Sequence, residues 1–244
     1  MITAIPTFSQ QLQTYLESIK SKTGREIRID LVNTVSLLGM NFAFTPDPTF
    51  IRIKVVLPSQ DSMAQFEQSF AHEATHGLLL YGLGYSTLTT HQQLNTTESF
   101  SRNLIATMID DVVVNDLLQK SGFKPFGERY KGMVNRETKA AKGRDKNFYN
   151  DLGRDELSRD RYMVYRYTLA WTFLKYFKVD LIMRGSLQKF RKAFHRAYPQ
   201  LSKEGTIIKQ LFEKNNVFNR EGHGYLMREV LALWGLSGKV TLTN

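Results

Sequence analysis

The chain has 244 residues, 42% of them hydrophobic, no cysteine and a formal net charge of +10. That length and apolar content suffice for a folded core, and the missing cysteine excludes disulfides, thiolate zinc sites and iron–sulfur ligation. No apolar run approaches the roughly 20 residues of a membrane span, and Met1-Ile2-Thr3-Ala4-Ile5-Pro6 lacks the basic-then-apolar order of an export signal, so a cytoplasmic protein without a membrane partner is expected.

Residues 9–22 place Leu12, Tyr15, Leu16 and Ile19 at helical spacing and run into Thr23-Gly24, which predicts an amphipathic helix. Over residues 26–32, Ile27, Ile29 and Leu31 alternate with Arg28 and Asp30, the period of a half-buried strand with the three apolar residues inward. Residues 50–57 alternate again after the turn residues Thr45-Pro46-Asp47-Pro48. The expected product is a small antiparallel sheet.

The next segment carries the chemistry. Phe70-Ala71-His72-Glu73-Ala74-Thr75-His76-Gly77-Leu78 holds a His-Glu-x-x-His, and histidines four apart on a helix lie one turn above each other on one face. Two imidazoles can then reach one metal ion with a glutamate beside them. Ser62 and Gln65 predict a capping box at the start of this helix, and Gly82 and Gly84 suit its end. At about 100° per residue, Met63, Phe66, Phe70, Ala74, Leu78 and Tyr81 form one stripe, while His72 and His76 fall on the other side with Gln65, Ser69 and Leu79.

A Thr-, Gln- and Asn-rich loop over residues 85–97 leads to a long helix at 98–120, apolar on more than one side yet carrying Asp110 and Asp111. A carboxylate inside a core is costly unless it is paired or ligates a metal. Residues 122–154 are punctuated by glycines and rich in Lys and Arg. They read as a basic, solvated connection, with a short helix around 135–142 and with a nucleic-acid contact or a substrate lid as the alternatives. An aromatic helix is predicted at 155–177, and further helices at 187–197, 203–214 and 225–233. The fold class expected is α+β, mostly helical. It divides into a core over 1–121, the connection 122–154 and a helical part over 155–244 packed on the core as one compact unit.

Catalytic zinc sites generally use three protein ligands and keep a fourth position open. His91 sits in a polar loop with no supporting pattern. Glu98 falls at a plausible distance, but Asn95-Thr96-Thr97-Glu98 also reads as a capping box. Asp111 has the better context, because Asn115 follows one turn later and could support a ligand by hydrogen bonding. Asp111 therefore ranks first, with Glu98 and Asp110 open as alternates.

With these residues in place, the chain over about residues 50–118 resembles the zincin metallopeptidases of the small type with a carboxylate third ligand. Phe66-Glu67-Gln68-Ser69-Phe70-Ala71-His72-Glu73 is similar to the approach to the motif in the ImmA/IrrE-like peptidases. Ile109-Asp110-Asp111-Val112-Val113-Val114-Asn115 is similar to the third-ligand helix of bacterial metallopeptidases with Asp-x-x-x-Asn. The Glu and Asn spacing of the first family is not kept after Glu98. The resemblance implies a zincin-like core and one Zn2+ per chain.

A site of this kind hydrolyses peptide bonds, with Glu73 as the base that takes a proton from water and returns it to the leaving amine. A second donor to the oxyanion is expected from Tyr81, Tyr85 or His223, the last set between two glycines in Glu221-Gly222-His223-Gly224-Tyr225. The +10 charge favours acidic partners, whether an acidic protein or peptide substrate, nucleic acid or an anionic membrane surface, and by itself does not choose among them. The alternative is a non-enzymatic or DNA-associated protein whose basic surface binds nucleic acid.

Overall fold

Ser9 accepts the N–H of Leu12 and starts α1 (Gln10–Thr23), and Gly24, at φ +66°, ends it by donating its N–H to the carbonyl of Lys20. The structure, a computed structural model, describes residues 2–33, 41–123, 128–143, 148–149 and 155–243. The chain forms two compact units, Met1–Tyr85 with Val114–Pro125, and Ser86–Val113 with Phe126–Asn244.

In the first unit, β1 (Ile27–Val32), β2 (Phe42–Thr45) and β3 (Ile51–Val56) form one sheet in the order β1-β3-β2. The sheet is mixed rather than antiparallel: β1 pairs with β3 in parallel, from Ile27 opposite Ile51 to Val32 opposite Val56, and only β2 runs against β3. The reason is topological. β2 runs back along the far side and leaves the middle place for β3, which therefore has the direction of β1. Asp47 closes the β2–β3 turn by accepting the N–H groups of Thr49 and Phe50. Ile51, Ile53 and Val55 of the central strand are fully buried, whereas Leu31, expected inward, is 62% exposed near the end of edge strand β1.

α2 (Met63–Gly77) packs on β2 and β3, with Phe66 edge-on to Phe42 at 4.8 Å between centroids, and on α1; Phe66, Phe70 and Ala74 are fully buried. Gly77 permits a close approach: a Cβ there would lie 2.5 Å from a methyl carbon of Ile51. The helix does not stop at Gly77 but widens into a π-helical turn over Leu78–Gly82, closed by the N–H of Leu83 on the carbonyl of Leu78, before Gly84 turns the chain at φ +63°.

The second unit is built on α5 (Glu156–Tyr176), buried from Tyr162 to Phe173 and capped by Asp155. α6 (Leu181–Ala197) and α7 (Pro199–Lys214) pack on it, and α8 (Arg220–Leu233) packs on α7. Aromatic rings interlock these helices, as where Tyr167 stacks on Phe194 at 5.0 Å between centroids. Within the expected basic connection the chain forms α4 (Glu128–Ala141), longer than the short helix predicted, which packs on α6. Lys124, Gly127, Arg144, Lys146 and Gly153 of that connection lie outside the described residues. Where a loop was expected, β4 (Thr87–Thr90) pairs antiparallel with β5 (Val240–Thr243). α3 (Thr96–Lys120) is uninterrupted and contributes residues to both units. The fold class is α+β and mostly helical, as expected.

Candidate metal centre

The centre begins with a helix start. Ser62 accepts the N–H of Gln65, and the Gln65 side chain accepts the N–H of Ser62. This fixes where α2 begins and so which face each later residue takes. His72 and His76 follow with one turn between them, half-buried, with their Nε2 atoms 3.3 Å apart. Two nitrogens bound to one tetrahedral ion at about 2.1 Å lie about 3.4 Å apart. The spacing of the histidines is therefore that of a chelating pair.

α2 is held by its neighbours on both sides of this pair. Thr75 shares a hydrogen bond of 2.7 Å with the Tyr15 hydroxyl of α1, and burial raises the pKa of that phenol. On the other side, Oε2 of Glu73 accepts the main-chain N–H of Phe44 at 2.6 Å, and the Phe44 ring lies nearly parallel to His76, 9° between planes at 6.3 Å. The strand beside the motif is thus β2, an edge of the sheet. β3, which directly precedes α2, is the central strand.

Asp111 on α3 is 4% exposed, and Asn115 one turn later is 1% exposed. One ligand atom each from His72, His76 and Asp111 lies within 4.8 Å of the other two, the one such group among the described residues. Two imidazoles and one carboxylate in partly buried surroundings are a donor set that zinc accepts, so the residues fit the ion the sequence implied.

The other candidates are placed elsewhere. Glu98 completes a capping box with Asn95 at the start of α3, and its Oε1 receives Lys239 Nζ at 2.7 Å. Those donors hold its carboxyl below the usual range, the lysine foremost. Its best-explained role is to cap and pair. His91 is exposed, with Nε2 3.1 Å from the carbonyl of Gly238. Tyr81, expected as an oxyanion donor, uses its hydroxyl on Asp47, accepting from the N–H at 2.8 Å and donating to the carbonyl at 2.9 Å. Tyr85 is buried.

His223, also expected as an oxyanion donor, has no exposed surface, and its Nε2 lies 2.8 Å from Oδ1 of Asp110. It is thus engaged by the residue next to Asp111. Its glycine neighbour has a packing reason, because a Cβ at Gly222 would meet the carbonyl oxygen of Asn216 at 2.2 Å. Gly222 therefore reflects a tight entry into α8, where Asn219 accepts its N–H, whereas a Cβ at Gly224 would meet nothing closer than Leu242 at 3.4 Å.

Two relationships were not readable from spacing: the contact of Glu73 with Phe44, and the pairing of Asp110 with His223, 113 positions away. Comparison with protein-family models, with curated proteins and with solved structures finds no match to this chain.

Proposed function

We propose that the chain is a zinc-dependent peptidase acting on a protein or peptide, with His72, His76 and Asp111 holding the ion and Glu73 as general base. The observation that carries this reading is the grouping of those three ligand atoms within 4.8 Å beside the helix position of Glu73. A divalent ion held there supplies a Lewis acid that polarises a carbonyl oxygen and brings water to a pKa of about 7.

The chain's own residues account for the remaining steps. Glu73 takes a proton from the attacking water and delivers it to the amine nitrogen as the peptide bond breaks. Phe44, through its N–H, orients that carboxylate on the edge of the sheet. β2 is also where an extended peptide could add as a further strand, presenting its backbone along the edge next to His76. A cytoplasmic site of action is part of the proposal, in keeping with a chain that contains no cysteine.

Metal analysis of the untagged protein, run with cleavage assays on unstructured polypeptides, tests the proposal. One zinc per chain, together with cleavage that a chelator stops and zinc restores, is the expected result. Purification without metal, or cleavage unaffected by Glu73→Gln, overturns it.

A further inference from the structure

The positive charge of the chain is not spread evenly. Residues 175–196 carry seven Lys and Arg against one Asp, a net +6 out of the +10 of the whole. The single acid, Asp180, is already used: it caps α6 by accepting the N–H of Met183 at 2.7 Å. α6 itself contains no acidic residue.

The inward side of α6, Met183, Leu187, Phe190 and Phe194, is buried against α4, α5 and α7. Packing therefore makes no demand on the opposite side, which is exposed and carries Arg184, Lys189, Lys192 and Arg196. At the start of that side stand Leu181 and Ile182, 85% and 65% exposed, the two most exposed large hydrophobic residues described. Leu181 lies on the stripe of Lys192, eleven residues on, since eleven steps of about 100° return within about 20°. Lys178, exposed, precedes the pair and Arg184 follows it. Two aliphatic side chains are thus displayed at one end of a cationic face, between Lys178 and Arg184 in the chain, with Lys189, Lys192 and Arg196 further along the helix.

Phosphate-lined partners of two classes attract such a face, and the aliphatic pair distinguishes them. Single-stranded nucleic acid is held by cations together with exposed aromatic rings, and duplex is held by cations and polar groups. α6 exposes no Phe, Tyr or Trp, and Leu and Ile gain nothing from a phosphate backbone. At an anionic bilayer surface both features are used, with aliphatic side chains below the headgroups and Lys and Arg at the level of the charge. We propose that the exposed face of α6 is a peripheral contact for an anionic lipid surface, entered by Leu181 and Ile182 and held by the surrounding lysines and arginines. Contact of this kind requires no membrane-crossing helix, and among the described residues none is long and apolar enough to be one. It is also independent of the metal centre and is read without any activity.

Co-sedimentation of the full chain with phosphatidylcholine vesicles, with and without phosphatidylserine, tests this, with a duplex oligonucleotide as competitor. The expected result is binding only where phosphatidylserine is present, weakened by added salt, and reduced about tenfold or more by Leu181→Ser with Ile182→Ser. Lys189→Glu with Lys192→Glu should weaken it independently. Because all four positions are exposed, unchanged urea midpoints will show that the variants remain folded. Equal binding to neutral vesicles, binding indifferent to the aliphatic pair, binding to the oligonucleotide alone, or no binding to either would each overturn the proposal.

Discussion

Oε2 of Glu73 accepts the main-chain N–H of Phe44 at 2.6 Å, so the glutamate of the His-Glu-x-x-His segment is fastened to an edge strand. Glutamine can accept the same N–H but cannot act as a base. Glu73→Gln should keep the metal and the urea midpoint and lose roughly 10²–10⁴-fold in cleavage rate. Glu73→Ala should lose the rate and also about 1–3 kcal/mol of stability, because the Phe44 N–H is left without its carboxylate. Equal stability of the two variants would show that the contact holds nothing.

The histidine spacing makes a separate prediction about stability. If His72, His76 and Asp111 hold an ion in the folded chain alone, zinc at about 100 times its Kd should stabilise the protein by about 2.7 kcal/mol. A chelator should lower Tm, and His76→Ala or Asp111→Ala should erase the response. A Tm indifferent to zinc would refute the centre whatever the activity.

Gly77 sets how close α2 comes to the sheet. Gly77→Ala drives a Cβ to 2.5 Å from Ile51 and should cost about 1–3 kcal/mol in urea unfolding. Ile51→Ala removes the methyl and methylene that collide, so the double variant should be less destabilised than the sum of the singles. Simple additivity would mean that the helix moves aside freely.

Glu137 and Arg166 form a two-pronged ion pair at 2.7 and 3.0 Å, with side chains 0% and 4% exposed. Removing one partner leaves the other charge buried without its counterion. Glu137→Ala should therefore cost about 3–5 kcal/mol, whereas Glu137→Leu with Arg166→Met should recover much of that loss. Denaturant unfolding measured on the three proteins decides it.

Asp155 caps α5 through the N–H and hydroxyl of Ser158 and also receives the hydroxyl of Thr97. These donors, the Ser158 hydroxyl foremost, lower its carboxyl from an ordinary 3.8 to about 2. A carboxyl depressed in the folded state stabilises above its unfolded pKa and loses that contribution as pH falls through the folded value. The advantage of wild type over Asp155→Ala should hold at neutral pH and shrink between about pH 4 and pH 2. A constant difference across that interval would contradict the assignment.

The sequence by itself determined what repeats within a few residues. The capping box of Ser62 and Gln65, the one-turn spacing of His72 and His76, and the buried α5 with its aromatic residues are consequences of helical period and side-chain chemistry, and all stand in the structure. β2 was missed because Phe42-Ala43-Phe44-Thr45 is too short to establish an alternation, and it forms only where β3 offers a partner. β4 and β5 pair Thr87 with Thr243, a register that no local pattern contains. The same holds for the three acids considered as a third ligand. Asp110, Asp111 and Glu98 were separable only in part by context, because carboxylates on one helix have similar local surroundings. The tertiary structure sets His223 beside Asp110 and Lys239 on Glu98, and brings a carboxylate oxygen of Asp111 within 4.8 Å of a ring nitrogen of each motif histidine. Helices are specified by neighbours along the chain, whereas a buried charge takes its role from whichever segment folding brings within about 3–5 Å of it.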